Sequence, residues 1–223
     1  MTETSSNRIA LVTGASRGLG AALAERLAQD GWHVVAVART LGGLEDLDDR
    51  IQAKGGRATL AALDITKDDA MRHLCRDIHD RWGHVGLWAH TAIHAPPMSP
   101  ADHVALKDWD RCMAINIRAC GVLIPMVAPL LAAAPARATA LFVDDPGAQG
   151  KFMGAYGASK AAQMALVRAW QAESARRGPH VMVEAAAAMP TATRARFYPG
   201  EDRGKLVPCA EEAARLVALL GTG

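Results

Sequence analysis

Tyr156 and Lys160 stand four residues apart in "GAYGASK", residues 154–160. If that stretch is helical, their side chains rise from one face, a turn apart. A free tyrosine titrates near ~10, and a lysine ammonium beside it favours the phenolate. Such a pair can pass a proton to or from a substrate oxygen as general acid or base. Just upstream lies "VDDPG", with Asp144 and Asp145 close to where a hydroxyl would help the tyrosine. An ionised carboxylate only accepts hydrogen bonds. It would raise the tyrosine pKa and oppose an oxyanion.

A second stretch, "TGASRGLG" at 13–20, carries Gly14, Gly18 and Gly20 between an apolar run and a helical pattern. Glycines there permit a tight turn and let backbone approach a ligand, and the helix N-terminus offers unpaired N–H groups to a pyrophosphate. Ser16, Arg17 and Leu19 complete the loop, which lacks the Gly-Lys-Ser/Thr ending of a nucleotide-hydrolysing loop. The next apolar run ends in Arg39 and Thr40, where an NAD site would want a carboxylate for the ribose 2′-OH. Arg17 and Arg39 together suit a 2′-phosphate, which favours NADP(H). Asp64, with Ile65 after it, follows the third apolar run and can accept from an adenine amino group.

These residues need a scaffold, and the apolar patterning supplies one. Strands are expected at 8–14, 33–38, 57–64, 85–92, 138–144 and 180–187. Helices are expected at 18–29, 44–54, 68–82, 108–133 and 155–177, with one more from Cys209 onward. Strands this apolar, separated by helices, are buried on both faces, which predicts a doubly wound α/β fold with six parallel strands. No linker, repeat or composition shift divides the 223 residues, so one dinucleotide-binding domain over 1–223 is expected.

Composition narrows the function classes. Lys plus Arg number 25 against 23 Asp plus Glu, a net +2 that gives no electrostatic case for nucleic acid or an anionic membrane. No apolar run of the roughly 18 residues of a membrane span is expected, and the N-terminal "MTETSSNR" lacks an apolar signal region. Cys75, Cys112, Cys120 and Cys209 form no CxxC pair and no zinc spacing, and read as buried thiols. A cytoplasmic protein is expected. His90 and His94 are four apart, but on a strand-to-loop segment followed by two prolines, so no metal site is expected.

Taken together, TGxxxGxG at 13–20, Asp64, Asn116 and Tyr156-x-x-x-Lys160 resemble the short-chain dehydrogenase/reductase family over nearly the whole chain. The resemblance implies a Rossmann-type sheet, a nicotinamide cofactor, and hydride transfer to or from a small carbonyl, alcohol or imine. It implies that Lys160 bonds the nicotinamide ribose and that Asn116 holds a water in a proton relay. His90, Thr91 and Ala92 would border the cofactor, and Thr191 and Thr193 would serve the nicotinamide amide. A homodimer is implied through the helices at 108–133 and 155–177, where Ala114, Ala119, Ala158, Ala161 and Ala165 permit close approach.

The chain also departs from the family. The family's serine at the end of the fifth strand falls here on Val143, or with one residue of slack on Asp144. Three outcomes stand open for Asp144: an apolar site keeps it protonated, its charge selects a cationic substrate such as an iminium, or turnover is weak or absent. In the last case the chain is an NADP(H)-binding protein with a structural or regulatory role. Ile93 in "HTAI" is expected to crowd the cofactor, and Ala188-Met189 replaces the family's Pro-Gly. The loop at 191–207 carries no legible substrate code.

Overall fold

The computed structural model describes residues 8–220. Five apolar residues, Ile9–Thr13, form β1, and every one is buried. Strands β2 (His33–Ala38), β3 (Arg57–Ala62), β4 (Leu87–His90), β5 (Thr139–Asp144) and β6 (His180–Ala185) complete one sheet, ordered β3-β2-β1-β4-β5-β6. All five pairings are parallel.

Successive strand residues face opposite sides, and two apolar layers result. Ile9, Leu11, Val35, Trp88, Ala140 and Phe142 point to the side covered by α3 (Asp68–Trp82), α5 (Ala119–Ala132) and α6 (Gly154–Ser174). Ala10, Val12, Val34, Ala36, Leu87 and Leu141 point to the side covered by α1 (Gly18–Gln29), α2 (Leu41–Ala53) and α8 (Cys209–Leu219). Trp88 is fully buried on the first side and meets Phe142 edge-on, with ring centroids 5.1 Å apart. The winding reverses between β1 and β4, and a crevice opens beyond their carboxyl ends, where doubly wound sheets bind ligands.

Two stretches differ from the sequence-based expectation. The helix at 108–133 is composite: α4 (Leu106–Cys112), a π-helical stretch at Met113–Arg118, then α5 with Pro125 and Pro129 inside it. The residues 106–132 are, by length and composition, long and apolar enough to cross a membrane. This corrects the expectation that no apolar run reaches that length: between Arg118 and Arg137 no side chain is charged or polar. Here Cys120, Leu123, Val127 and Leu130 are buried in the core layer on the α3 side of the sheet. The loop after β6 contains a short helix, α7 (Ala192–Phe197), which Thr191 starts by accepting from the Arg194 amide at 3.1 Å.

All four cysteines are free; Cys75, Cys112 and Cys120 are buried. Burial pushes the Cys75 and Cys112 thiols up to about 11 and Cys120 to about 12. Since the thiolate is the reactive form, an aromatic disulfide reagent at pH 8 should label the native protein slowly, at Cys209 first. All four should react at once in denaturant. Rapid labelling of three or more thiols in the native state would contradict this packing.

Candidate active site

Beyond the carboxyl ends of β1 and β4 lies a cleft of about 830 Å³. Its floor begins at the β1–α1 turn. Gly14 has φ +92°, and a Cβ there would lie 2.6 Å from the Ala92 amide nitrogen. A Cβ on Gly20 would lie 2.2 Å from the Gly14 carbonyl oxygen and 2.5 Å from Thr91 Oγ1. Only glycine lets the loop, α1 and the β4 end come this close. No side chain caps the first turn of α1, so its N–H groups remain open to an anion.

Ser16, Arg17, Gly18 and Leu19 line this end of the cleft, as do Arg39, Thr40, Asp64 and Ile65. Arg17, Arg39 and Thr40 are exposed. Asp64 Oδ1 accepts from the Thr66 amide at 2.9 Å and from Thr66 Oγ1 at 2.8 Å. His90, Thr91 and Ala92 form the wall where β4 ends. His90 Nδ1 is 2.8 Å from Thr13 Oγ1, and Thr91 Oγ1 donates to the Thr13 carbonyl at 2.9 Å. Burial, helped by the Lys160 charge, draws the His90 pKa down to about 3, so the ring is neutral. Thr191 and Thr193 close the cleft from the β6 side. Among the described residues no group of three His, Cys, Asp or Glu is placed to hold a metal ion.

The other end of the cleft holds the Tyr156–Lys160 pair, both buried on the first turns of α6. Lys160 Nζ donates to the Val143 carbonyl oxygen, and to Gln163 Oε1 at 2.8 Å. An ammonium has three donors, so one remains for a ligand. Burial lowers the Lys160 pKa to about 8, against the pull of Asp144 and Asp145. Gln163 was not singled out from the sequence; its position one turn after Lys160 was the available signal.

The aspartates need the main correction. Asp144, expected near the substrate, lines the cleft but does not bond the tyrosine: its Oδ2 accepts from Arg168 on α6 at 3.0 Å, and its Oδ1 from the Asp145 amide at 2.8 Å. The residue that reaches the tyrosine is Asp145, whose Oδ2 accepts from the Tyr156 hydroxyl at 3.0 Å. Alternation puts Asp144 on the side of Phe142, toward α6, where Arg168 takes its carboxylate, and Asp145 reaches the tyrosine because the chain leaves the strand there. β5 stops at Asp144, and Asp145 caps the next turn, its Oδ1 accepting from the Gly147 amide at 3.0 Å. The expectation that Lys160 lowers the Tyr156 pKa is also corrected. Burial first, then the Asp145 charge and hydrogen bond, hold the phenol well above its ordinary value.

Asn116 is fully buried in the π-helical stretch and does not line the cleft. Its Oδ1 accepts from the His94 amide at 2.7 Å, and its Nδ2 donates to the His94 carbonyl at 2.9 Å and to Ser159 Oγ at 2.8 Å. It thus ties the loop after β4 to α6. Ile93 packs beside a cluster of Ala95, Ala148, Met153, Tyr156 and Phe197. The Phe197 ring lies 4.9 Å from that of Tyr156. The sequence does not single out Phe197, because α7 lies in a segment whose pattern predicts a loop.

Comparison with known proteins agrees with this geometry. The sequence profile described as short chain dehydrogenase matches residues 8–202. An uncharacterized oxidoreductase of Listeria monocytogenes is 32% identical, over 78% of this chain and 71% of its own length. A glycine betaine reductase of Emericella nidulans is 29% identical over 79% of this chain, a match that covers only 14% of the longer protein. A short chain dehydrogenase structure from Salmonella enterica superposes with a TM-score of 0.86 at 26% identity, covering 96% of this chain and 88% of the other. A metagenomic short-chain oxidoreductase solved in complex with NADP gives a TM-score of 0.79 at 26% identity, covering 97% of this chain and 90% of that one. With the profile spanning most of its length, the glycine loop at its first turn and Tyr156 and Lys160 in the same cleft, the chain belongs to the short chain dehydrogenase family of oxidoreductases.

Proposed function

We propose that the protein is an NADP(H)-dependent oxidoreductase acting on a small carbonyl, alcohol or imine. The observation that carries the reading is that the glycine loop, Arg17, Arg39, Tyr156 and Lys160 all line one cleft. The cleft also fits a dinucleotide: Gly14 and Gly20 form a cradle that a Cβ would fill. When bound, a reduced nicotinamide supplies a hydride. The open N–H groups of α1 would hold the pyrophosphate, Asp64 the adenine, and the third Lys160 donor a ribose hydroxyl. Arg17 and Arg39 would hold the 2′-phosphate, and the NADP complex of the metagenomic relative supports that choice.

Charge-assisted contacts contribute about 1.5–3 kcal/mol each, roughly ten- to a hundredfold in affinity. Calorimetry should therefore show NADPH binding more tightly than NADH. Arg17→Ala and Arg39→Ala should each shrink the ratio. An unchanged ratio in both variants would remove the 2′-phosphate assignment.

The Asp145–Tyr156 hydrogen bond favours a second reading, a cofactor-binding protein with little turnover. NADPH that binds yet is consumed with no carbonyl or imine in a substrate panel would select it.

A homodimer through α4, α5 and α6 is part of the proposal. Ala158, Ala161 and Ala165 are exposed along α6, beside Leu166 at 38% exposure. Ala119 is fully buried within the chain, so it takes no part in the interface. Light scattering at micromolar concentration should give twice the 23.6 kDa chain mass. A monomer would refute the assembly.

A further inference from the structure

We propose that the Tyr156 end of the cleft binds an organic cation, an iminium or protonated imine, with Asp145 as its counter-ion. The turnover of that cation rests on the nicotinamide-dependent reading above; its binding does not.

The charges at this end of the cleft decide the matter. Asp144 is paired with Arg168 at 3.0 Å. Arg194 is paired with Glu201 through two contacts of 2.6 Å. Asp145 has no ion-pair partner among the described residues, and it accepts only from the Gly147 amide and the Tyr156 hydroxyl. Beside its partner Tyr156 the cleft wall is apolar and aromatic, with Ile93, Met153 and Phe197 packed there. A lone carboxylate against such a wall suits a cation with an apolar body, because aromatic faces and the carboxylate both attract it. The Lys160 ammonium opposes a cation, but it is turned onto the Val143 carbonyl and Gln163.

The chemistry of the two substrate classes differs at the atom that Asp145 faces. When a hydride adds to a carbonyl carbon, the π pair moves to oxygen, which becomes negative and must take a proton. The Tyr156 proton is directed at Asp145 instead, and the carboxylate repels the developing anion. When a hydride adds to an iminium carbon, the π pair becomes the nitrogen lone pair, the product is a neutral amine, and no proton is required. The reduced nicotinamide is the reductant and leaves oxidised. A carboxylate beside the nitrogen also keeps a weakly basic imine protonated.

The test uses the full chain, titrated calorimetrically with N-methyl-3,4-dihydroisoquinolinium and with 1-tetralone, its neutral bicyclic counterpart, each with and without NADP⁺. The cation should bind about tenfold more tightly or better, the size expected of one charge-assisted contact. Asp145→Asn should abolish that preference, and Asp144→Asn should keep it. Asp145→Ser serves the same purpose should the asparagine variant misfold by circular dichroism. Equal affinity for the two ligands, a preference that survives loss of the Asp145 charge, or failure to bind the cation would each overturn the inference. Failure of NADPH to bind while the cation preference holds would instead remove the reductase reading and leave the cation site standing.

Discussion

Asp145→Ser is expected to raise carbonyl reduction by about a hundredfold or more, read as NADPH consumption with a small aldehyde or ketone. Three effects act in one direction. Serine restores a hydroxyl donor toward the substrate oxygen, and a single such donor is worth about 10²–10³ in rate. Removing the carboxylate frees the Tyr156 proton now donated to Asp145 Oδ2 at 3.0 Å. Loss of that charge also relieves one of the influences that hold the Tyr156 pKa high, although burial, the largest, remains. Tyr156→Phe in the serine background should abolish the gain, which shows that it passes through the phenol. Asp144→Ser is the control: its side chain faces Arg168, so no comparable gain should follow. A gain from Asp144→Ser and none from Asp145→Ser would reverse the placement of the two aspartates.

Gly14→Ala should cost both stability and cofactor binding, whereas Gly42→Ala should cost neither. A β-carbon on Gly14 meets the backbone of Thr91 and Ala92 at 2.6–2.8 Å, and its φ of +92° strains any L side chain. Positive φ costs roughly 1–2 kcal/mol and overpacking about 1–3 kcal/mol more. For a chain of this size each kcal/mol moves Tm by about 2–4 °C, so a fall of roughly 5–15 °C is expected. Backbone displaced there also shifts the turn that would receive the pyrophosphate, and NADPH titration should show affinity lost. Gly42 lies in the first turn of α2 with nothing within 4 Å of an added Cβ. Alanine there should leave Tm unchanged or raise it slightly, since it restricts the unfolded chain. Equal thermal shifts for the two variants would refute the close approach of the β1–α1 turn to the end of β4.

The layered fold was legible in the sequence because it depends on local patterning. Continuous apolar runs such as "HVVAVA" can be satisfied only by burial on both faces, and glycines at 14, 18 and 20 mark a turn that tolerates no side chain. The helical four-residue spacing likewise brought Tyr156 and Lys160 to one face of α6 without any tertiary information. The tertiary structure decided what spacing cannot. Which of two adjacent aspartates faces the tyrosine turns on where β5 stops, since a shift of one residue reverses the direction of a side chain. That end point is set by the pairing of Asp144 with Ala185 and by Arg168 reaching across from α6. The upward push of a nearby carboxylate on Tyr156 was legible, but the larger cause, desolvation, was out of reach, because it depends on Ile93, Met153 and Phe197, which converge from three separate segments. Local spacing determined which residues share an element, and packing between elements determined what each one touches.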